Sequence, residues 1–144
     1  MKYNLVIGSD HNGFELKKFL ILSLKKAPYK IHDVGCFFPE KEKEECENNY
    51  ETYGHAVARL VSAQSSSWRG IAICGNGIGM SIITNKDPYI RGALCCSEED
   101  AVTSRKLCDS NVIVLPALKL TNHEANNIVN SWLSTFNCNC KGCE

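Results

Sequence analysis

Between Arg69 and Lys86 the chain reads Arg-Gly-Ile-Ala-Ile-Cys-Gly-Asn-Gly-Ile-Gly-Met-Ser-Ile-Ile-Thr-Asn-Lys, and this stretch limits the fold more than any other. Gly70 to Ile73 is a short apolar run of the kind that forms a strand buried on both faces. Cys74 closes it. Gly75, Gly77 and Gly79 then leave the backbone bare through a turn, and Met80 to Asn85 reads as a helix. Glycine admits positive φ and lets a ligand approach the main chain closely. A helix that starts after such a turn offers free N–H groups and a favourable dipole to an anion. A thiol beside those N–H groups is expected to have a lowered pKa and so to serve as base or nucleophile. The competing reading of the same residues is a strand-to-helix turn whose cysteine fills the core.

The rest of the chain repeats the strand-then-helix pattern. Leu5 to Ile7 is an apolar run ending in Gly8, followed by Ser9-Asp10-His11-Asn12-Gly13. A helix begins at Asn12 or Gly13, with Phe14, Leu16, Phe19, Leu20, Leu22 and Leu24 as its apolar face and Glu15, Lys17, Lys18, Lys25 and Lys26 mostly opposite. Tyr29 to Val34 alternates as a strand. Cys36 to Asn49, with its charge run from Glu40 to Glu45, reads as a long polar loop with a solvated face. Tyr50 to Ala63 suits a helix with Tyr53, Val57, Leu60 and Val61 inward. Ile90 to Cys95 is a fourth strand, Glu98 to Leu107 a helix capped by Ser97, and Val112 to Leu115 a fifth strand. Thr121, with Glu124 three places on, opens a last helix from Asn122 to Phe136 as a capping box. Five strands alternating with five helices predict an α/β fold: a three-layer, Rossmann-like sandwich around a five-stranded, mainly parallel sheet. In such sheets ligands bind at the carboxyl ends of strands, where both Asp10-His11 and Cys74 fall.

A chain of 144 residues implies one domain, here residues 1–136, followed by a cysteine-rich tail at 137–144. The formal net charge of zero gives no electrostatic case for nucleic acid or an anionic membrane, and no apolar run approaches the length of a membrane helix. Without a secretory signal pattern the default location is the cytoplasm. The nine cysteines are odd in number, and six are scattered through strand and helix patterns, which does not suit a disulfide framework. Cys138, Cys140 and Cys143 supply three soft ligands where a structural zinc site usually takes four, so the tail reads as reduced and no metal is expected.

Taken in order, Asp10-His11-Asn12-Gly13, the Cys74–Gly79 turn with Ser81 and Asn85-Lys86, Arg91, Ser104-Arg105 and Asn111-Val-Ile resemble the type B ribose-5-phosphate isomerase family, which includes the subunits of galactose-6-phosphate isomerase. The resemblance covers about residues 3 to 136. It implies an aldose–ketose isomerisation of a sugar phosphate through an enediolate, without a cofactor. It assigns Cys74 as the base and Asn76 to the catalytic turn, while the N–H groups from Gly75 through Gly77 and Ile78 to Gly79 hold the oxyanion. It gives Asp10, His11 and Tyr50 to the substrate. It also implies a homodimer or tetramer whose sites lie between subunits, with a paralogous subunit as the alternative partner.

The chain departs from the family pattern at several of these positions. Asn76 stands where the family has Ser or Thr. Leu107 and Cys108 stand where it has the ring-opening histidine and an asparagine. Leu118 replaces a phosphate-binding arginine, with Lys119 one place later, and the C-terminal arginine segment is absent. These replacements motivate an alternative to the isomerase reading: a non-catalytic binding module, or the partner subunit of a hetero-oligomeric isomerase. Read on their own, Asp10 also suits a helix cap, His11 an exposed histidine, Tyr50 a structural aromatic, and Arg91 and Arg105 ion-pair partners.

Overall fold

A computed structural model describes residues 3–45, 49–64 and 66–137. Its elements run β1 (Asn4–Ser9), α1 (Phe14–Leu24), β2 (Lys30–Asp33), α2 (Pro39–Glu45), α3 (Tyr50–Ala63) and β3 (Trp68–Cys74). They continue with α4 (Ile78–Thr84), β4 (Gly92–Leu94), α5 (Glu98–Cys108), β5 (Val112–Pro116) and α6 (Asn122–Ser134). The five strands form one sheet in the order β2-β1-β3-β5-β4, every pair parallel. The cysteine tail from Cys138, and Cys46, lie outside the described residues.

Side chains alternate across the sheet and so build two cores. Leu5, Ile7, Ile71, Ile73, Ile113 and Leu115 meet α1, α5 and α6, with Trp132 fully enclosed among them. Val6, Ala72, Cys74, Val112 and Val114 face the other way, against α3 and α4 through Val57, Val61, Met80 and Ile83. Because β1 and β3 are buried on both faces, they read as unbroken apolar runs rather than alternating ones. Gly70 has no side chain to hold apart the sheet and α3: a Cβ there would lie 2.7 Å from Val57.

Three expectations change. The segment from Cys36 to Asn49 is not a loop throughout, since Pro39–Glu45 forms a sixth helix. Proline is suited to the first turn of a helix, Glu and Lys are good helix formers, and Lys43 in the last turn complements the dipole. On α1, Lys17 is buried and Leu22 is 65% exposed, the reverse of the amphipathic reading. The Lys17 ammonium donates to Asp33 Oδ1 and to the Cys36 carbonyl, both at 2.7 Å, and lies between the rings of Phe14 and Phe37. A lysine can be enclosed when its charge is paired and its stem lies on apolar groups, and this one pins the end of β2 to α1. Leu60 on α3 is 37% exposed, and Ala58 with Gly54 takes the inward face. Gly54 is where α3 and α4 touch: a Cβ on it would run into Ile83.

Both helix caps read from the sequence form. Ser97 accepts from the Asp100 N–H, and Thr121 and Glu124 bond reciprocally.

Candidate active site

The connection after β1 leads to α1 on one face of the sheet, and the connection after β3 leads to α4 on the other. The two neighbouring strands therefore part company at their carboxyl ends, and a crevice opens between them. It is a cleft of about 400 Å³ lined by Asp10 and Asn12 after β1, Cys74 at the end of β3, Gly75, Asn76, Ile78, Gly79 and Ile82 beyond it, Tyr50 at the start of α3, and Leu118 after β5.

Asp10 is fixed by its own loop. Its N–H donates to the Ile73 carbonyl at 3.1 Å, carrying the β1–β3 ladder one step past the strand, and its Oδ1 accepts from the Gly13 N–H at 2.9 Å. Gly13 lies against β3, where a Cβ would meet Ile73 at 2.7 Å. Burial pushes the Asp10 carboxyl above its ordinary pKa; the Gly13 N–H, the charge of His11 and the Asn12 N–H oppose the rise.

The turn after Cys74 is built by two devices. Gly77 has φ +82°, a left-handed conformation in which a side chain is strained. The Asn76 side chain accepts from the Ile78 N–H at 3.0 Å, closing the turn from within. Tyr50 lies with its ring against Gly79, where a Cβ would be 3.0 Å away. The loop after β5 closes the far wall: Ala117 and Leu118 donate their N–H groups to the Cys74 and Gly75 carbonyls, each at 2.9 Å.

The turn's N–H groups do act on the thiol, but the expected sign is overturned. Burial pushes the Cys74 thiol above its ordinary pKa. The N–H groups of Met80, Gly77 and Asn76 pull it down, and the nearby Asp10 charge raises it further. Desolvation disfavours the thiolate more than the amides favour it, so Cys74 rests protonated.

Of the expected site residues, Asp10, Tyr50, Cys74, Gly75, Asn76, Ile78 and Gly79 share one cleft. Gly77 is buried behind it and shapes the turn. His11 lies beside the cleft rather than in its lining, its Nδ1 3.5 Å from the Asn49 amide. The lining also includes Asn12 and Ile82, which the sequence reading passed over. Asn12 is the variable position inside the Asp-His-x-Gly loop, and Ile82 lies one turn after Ile78, so helical spacing was the available signal. Asn85 is architectural: its side chain exchanges two hydrogen bonds with Gly92, at 2.8 and 3.1 Å, and ties α4 to β4. Arg91 and Arg105 both pair with Asp109, at 3.4 and 3.0 Å. Leu107 and Cys108 are exposed on α5, away from the cleft lining.

The family model for Ribose/Galactose Isomerase matches residues 5–139. The chain belongs to this family. It is 32% identical over 129 residues to ribose-5-phosphate isomerase B of Escherichia coli K12, covering 90% of this chain and 82% of that one. It is 32% identical over 132 residues to a DNA damage-repair/toleration protein of Arabidopsis thaliana, and spans 91% of itself but only 39% of that longer relative. The crystal structure of ribose-5-phosphate isomerase B from Mycoplasma genitalium with bound ribulose-5-phosphate superposes with a TM-score of 0.86 at 30% identity, over 93% of this chain and 85% of that one. Fold and family together place the chain among the sugar-phosphate isomerases. Among the described residues no helix is long and apolar enough to cross a membrane.

Proposed function

We propose that this cleft interconverts an aldose phosphate and its ketose phosphate, ribose 5-phosphate and ribulose 5-phosphate in the first instance, with Cys74 as the base. The observation that carries the reading is the thiol at the end of β3, with the N–H groups of Asn76, Gly77 and Met80 directed at it and Asp10 beside it. Cys74 as thiolate takes the proton from C2 of the open-chain aldose, the developing enediolate oxygen is held by turn N–H groups, and the thiol returns the proton at C1. Asp10 and Tyr50 hold the sugar hydroxyls, and His11 stands near the same loop. Chemistry that shuttles one proton between two carbons needs no cofactor.

The described residues lining the cleft include no lysine, arginine or histidine, while Ile78, Ile82 and Leu118 in that lining are exposed. An apolar rim around an incomplete anion site supports a second copy seated there, so the reading includes a homo-oligomer. Among the described residues the thiols of Cys74, Cys95, Cys96 and Cys108 suit a reducing compartment, and the reading includes the cytoplasm. The test is interconversion of the two pentose phosphates by the purified chain beside Cys74→Ala. Turnover by the chain alone that is lost in Cys74→Ala is expected. Turnover that survives the substitution removes Cys74 from the mechanism, and no turnover without a co-purifying paralogue favours the partner-subunit role.

A further inference from the structure

The reaction proposed above occupies Cys74 with a carbon-bound proton, yet an aldose phosphate such as ribose 5-phosphate rests as a closed furanose. Its carbonyl has to be released before Cys74 can act, and that step moves a different proton. Within the cleft the described titratable side chains are Asp10, Tyr50 and Cys74. Leu107, which stands where the family resemblance places a ring-opening histidine, carries no titratable group and is exposed on α5.

We propose that Asp10 opens the sugar ring. Its carboxylate accepts the proton of the anomeric O1–H; the O1 electron pair forms C1=O as the C1–O4 bond breaks; the carboxyl then returns the proton to O4. The proton taken and the proton given balance, the carboxylate is regenerated, and no redox partner takes part. The inference rests on the isomerase reading and extends it to a second catalytic residue in the same cleft.

Three observations carry it. Asp10 and Cys74 follow paired positions of adjacent parallel strands: Ser9 is opposite Ile73, and the Asp10 N–H continues the ladder at 3.1 Å. A sugar whose C2 is offered to Cys74 and whose C1 end is turned toward β1 then has C1 within a strand spacing of Asp10, roughly 5 Å. The carboxyl is aimed rather than mobile, since the Gly13 N–H bond at 2.9 Å and its near-complete burial hold it in the wall. A carboxyl also has two oxygens, so it can receive a proton on one side and deliver from the other, which suits two oxygens bonded to the same carbon. Tyr50 presents one oxygen, on a ring laid against Gly79. Burial supports the role from a separate direction, because it raises the proton affinity of the carboxylate and brings both of its forms within reach.

The experiment separates ring opening from enolisation in the full chain. Ribulose 5-phosphate is open-chain, so uptake of solvent deuterium at its C1 reports the Cys74 step without ring opening. Conversion of ribose 5-phosphate needs both. In Asp10→Asn the ratio of ribose conversion to deuterium uptake is expected to fall at least about tenfold, within the ~10²–10⁴ typical of lost acid–base help. Residual conversion should also stop rising with enzyme concentration, because uncatalysed opening supplies the substrate. Asp10→Glu should recover part of the ratio. Asp10→Ser, which keeps an acceptor for the Gly13 N–H, serves if the asparagine variant does not fold. Equal loss of both signals would make Asp10 a binding residue and overturn the proposal, as would loss of neither. Absence of uptake in the wild type, or full uptake in Cys74→Ala, would instead bring down the isomerase reading and this inference with it.

Discussion

Gly77→Ala tests whether the turn behind the cleft is held by glycine's backbone freedom. Its φ of +82° is left-handed, which costs an ordinary L-residue about 1–2 kcal/mol. The added Cβ would run into Leu94 Cδ1, but Leu94 is 39% exposed and can swing aside at a cost of about 0.5–1.5 kcal/mol. Alanine recovers about 0.4–1 kcal/mol by restricting the unfolded chain. The net expectation is a loss of about 2 kcal/mol, or a fall of roughly 4–8 °C in Tm for a chain of this size. Urea and thermal denaturation followed by circular dichroism read this directly. Gly77→Asn should lose less, because asparagine tolerates the left-handed region, although the contact with Leu94 remains. Gly79→Ala is the control: its φ is not positive, and it should stay within about 1 kcal/mol of the parent because helix propensity offsets crowding against Tyr50. A Gly77→Ala protein as stable as the parent would refute the reasoning. The isomerase rate should fall further than stability does, because the same turn aims the Asn76 and Gly77 N–H groups.

Other outcomes follow from the same geometry. Leu118→Arg places a cation at the cleft mouth and should lower KM for a phosphorylated substrate about tenfold, a charge-assisted hydrogen bond discounted for solvent, while leaving KM for an unphosphorylated pentose unchanged. Lys17→Met should cost about 3 kcal/mol in urea unfolding, since it removes the buried ammonium's bonds to the Asp33 carboxylate and the Cys36 carbonyl. Because burial raises the Cys74 pKa, the thiolate gains population only at alkaline pH, and kcat/KM should still be rising at pH 9; a plateau below pH 8 would contradict that. The sign for stability is the same: the neutral buried thiol stabilises the fold below the unfolded-state pKa, and that contribution is lost as pH rises through the higher folded value.

The sheet and its order of elements were legible because buried parallel strands leave a crude signal: short apolar runs at Leu5–Ile7, Ile71–Ile73 and Val112–Leu115, each followed by turn residues. Caps at Ser97 and Thr121 were legible for a similar reason, since the hydrogen bond is local. What misled was long-range. Lys17 looks like a surface residue until Asp33 and the Cys36 carbonyl arrive from another strand to satisfy it, and no spacing within α1 records that. The helix at Pro39–Glu45 has no apolar stripe, so periodicity misses it even though its propensity is high. The thiol's sign was misjudged because the N–H groups can be read from the glycines, whereas the depth of Cys74 depends on Val57, Met80 and Ile83 packing over β3.

That depth joins the two halves of the cleft. Cys74 ends β3 and Asp10 follows β1, its neighbour, so burial at one end of the sheet raises both pKa values, and the charge of Asp10 raises Cys74 again. Two acids this close resist ionising together, and the proton that one gives up is held more tightly by the other. In an isomerase such coupling has a use. On the proposed mechanism Asp10 opens the ring as a carboxylate, and its charge holds Cys74 as a thiol during that step. Once the ring is open, the turn N–H groups that pull the Cys74 pKa down favour the thiolate that must take the C2 proton. The positions responsible come from the connectivity of the sheet: β1 and β3 are adjacent and send their helices to opposite faces, so the two acids are side by side before any side chain contact is made.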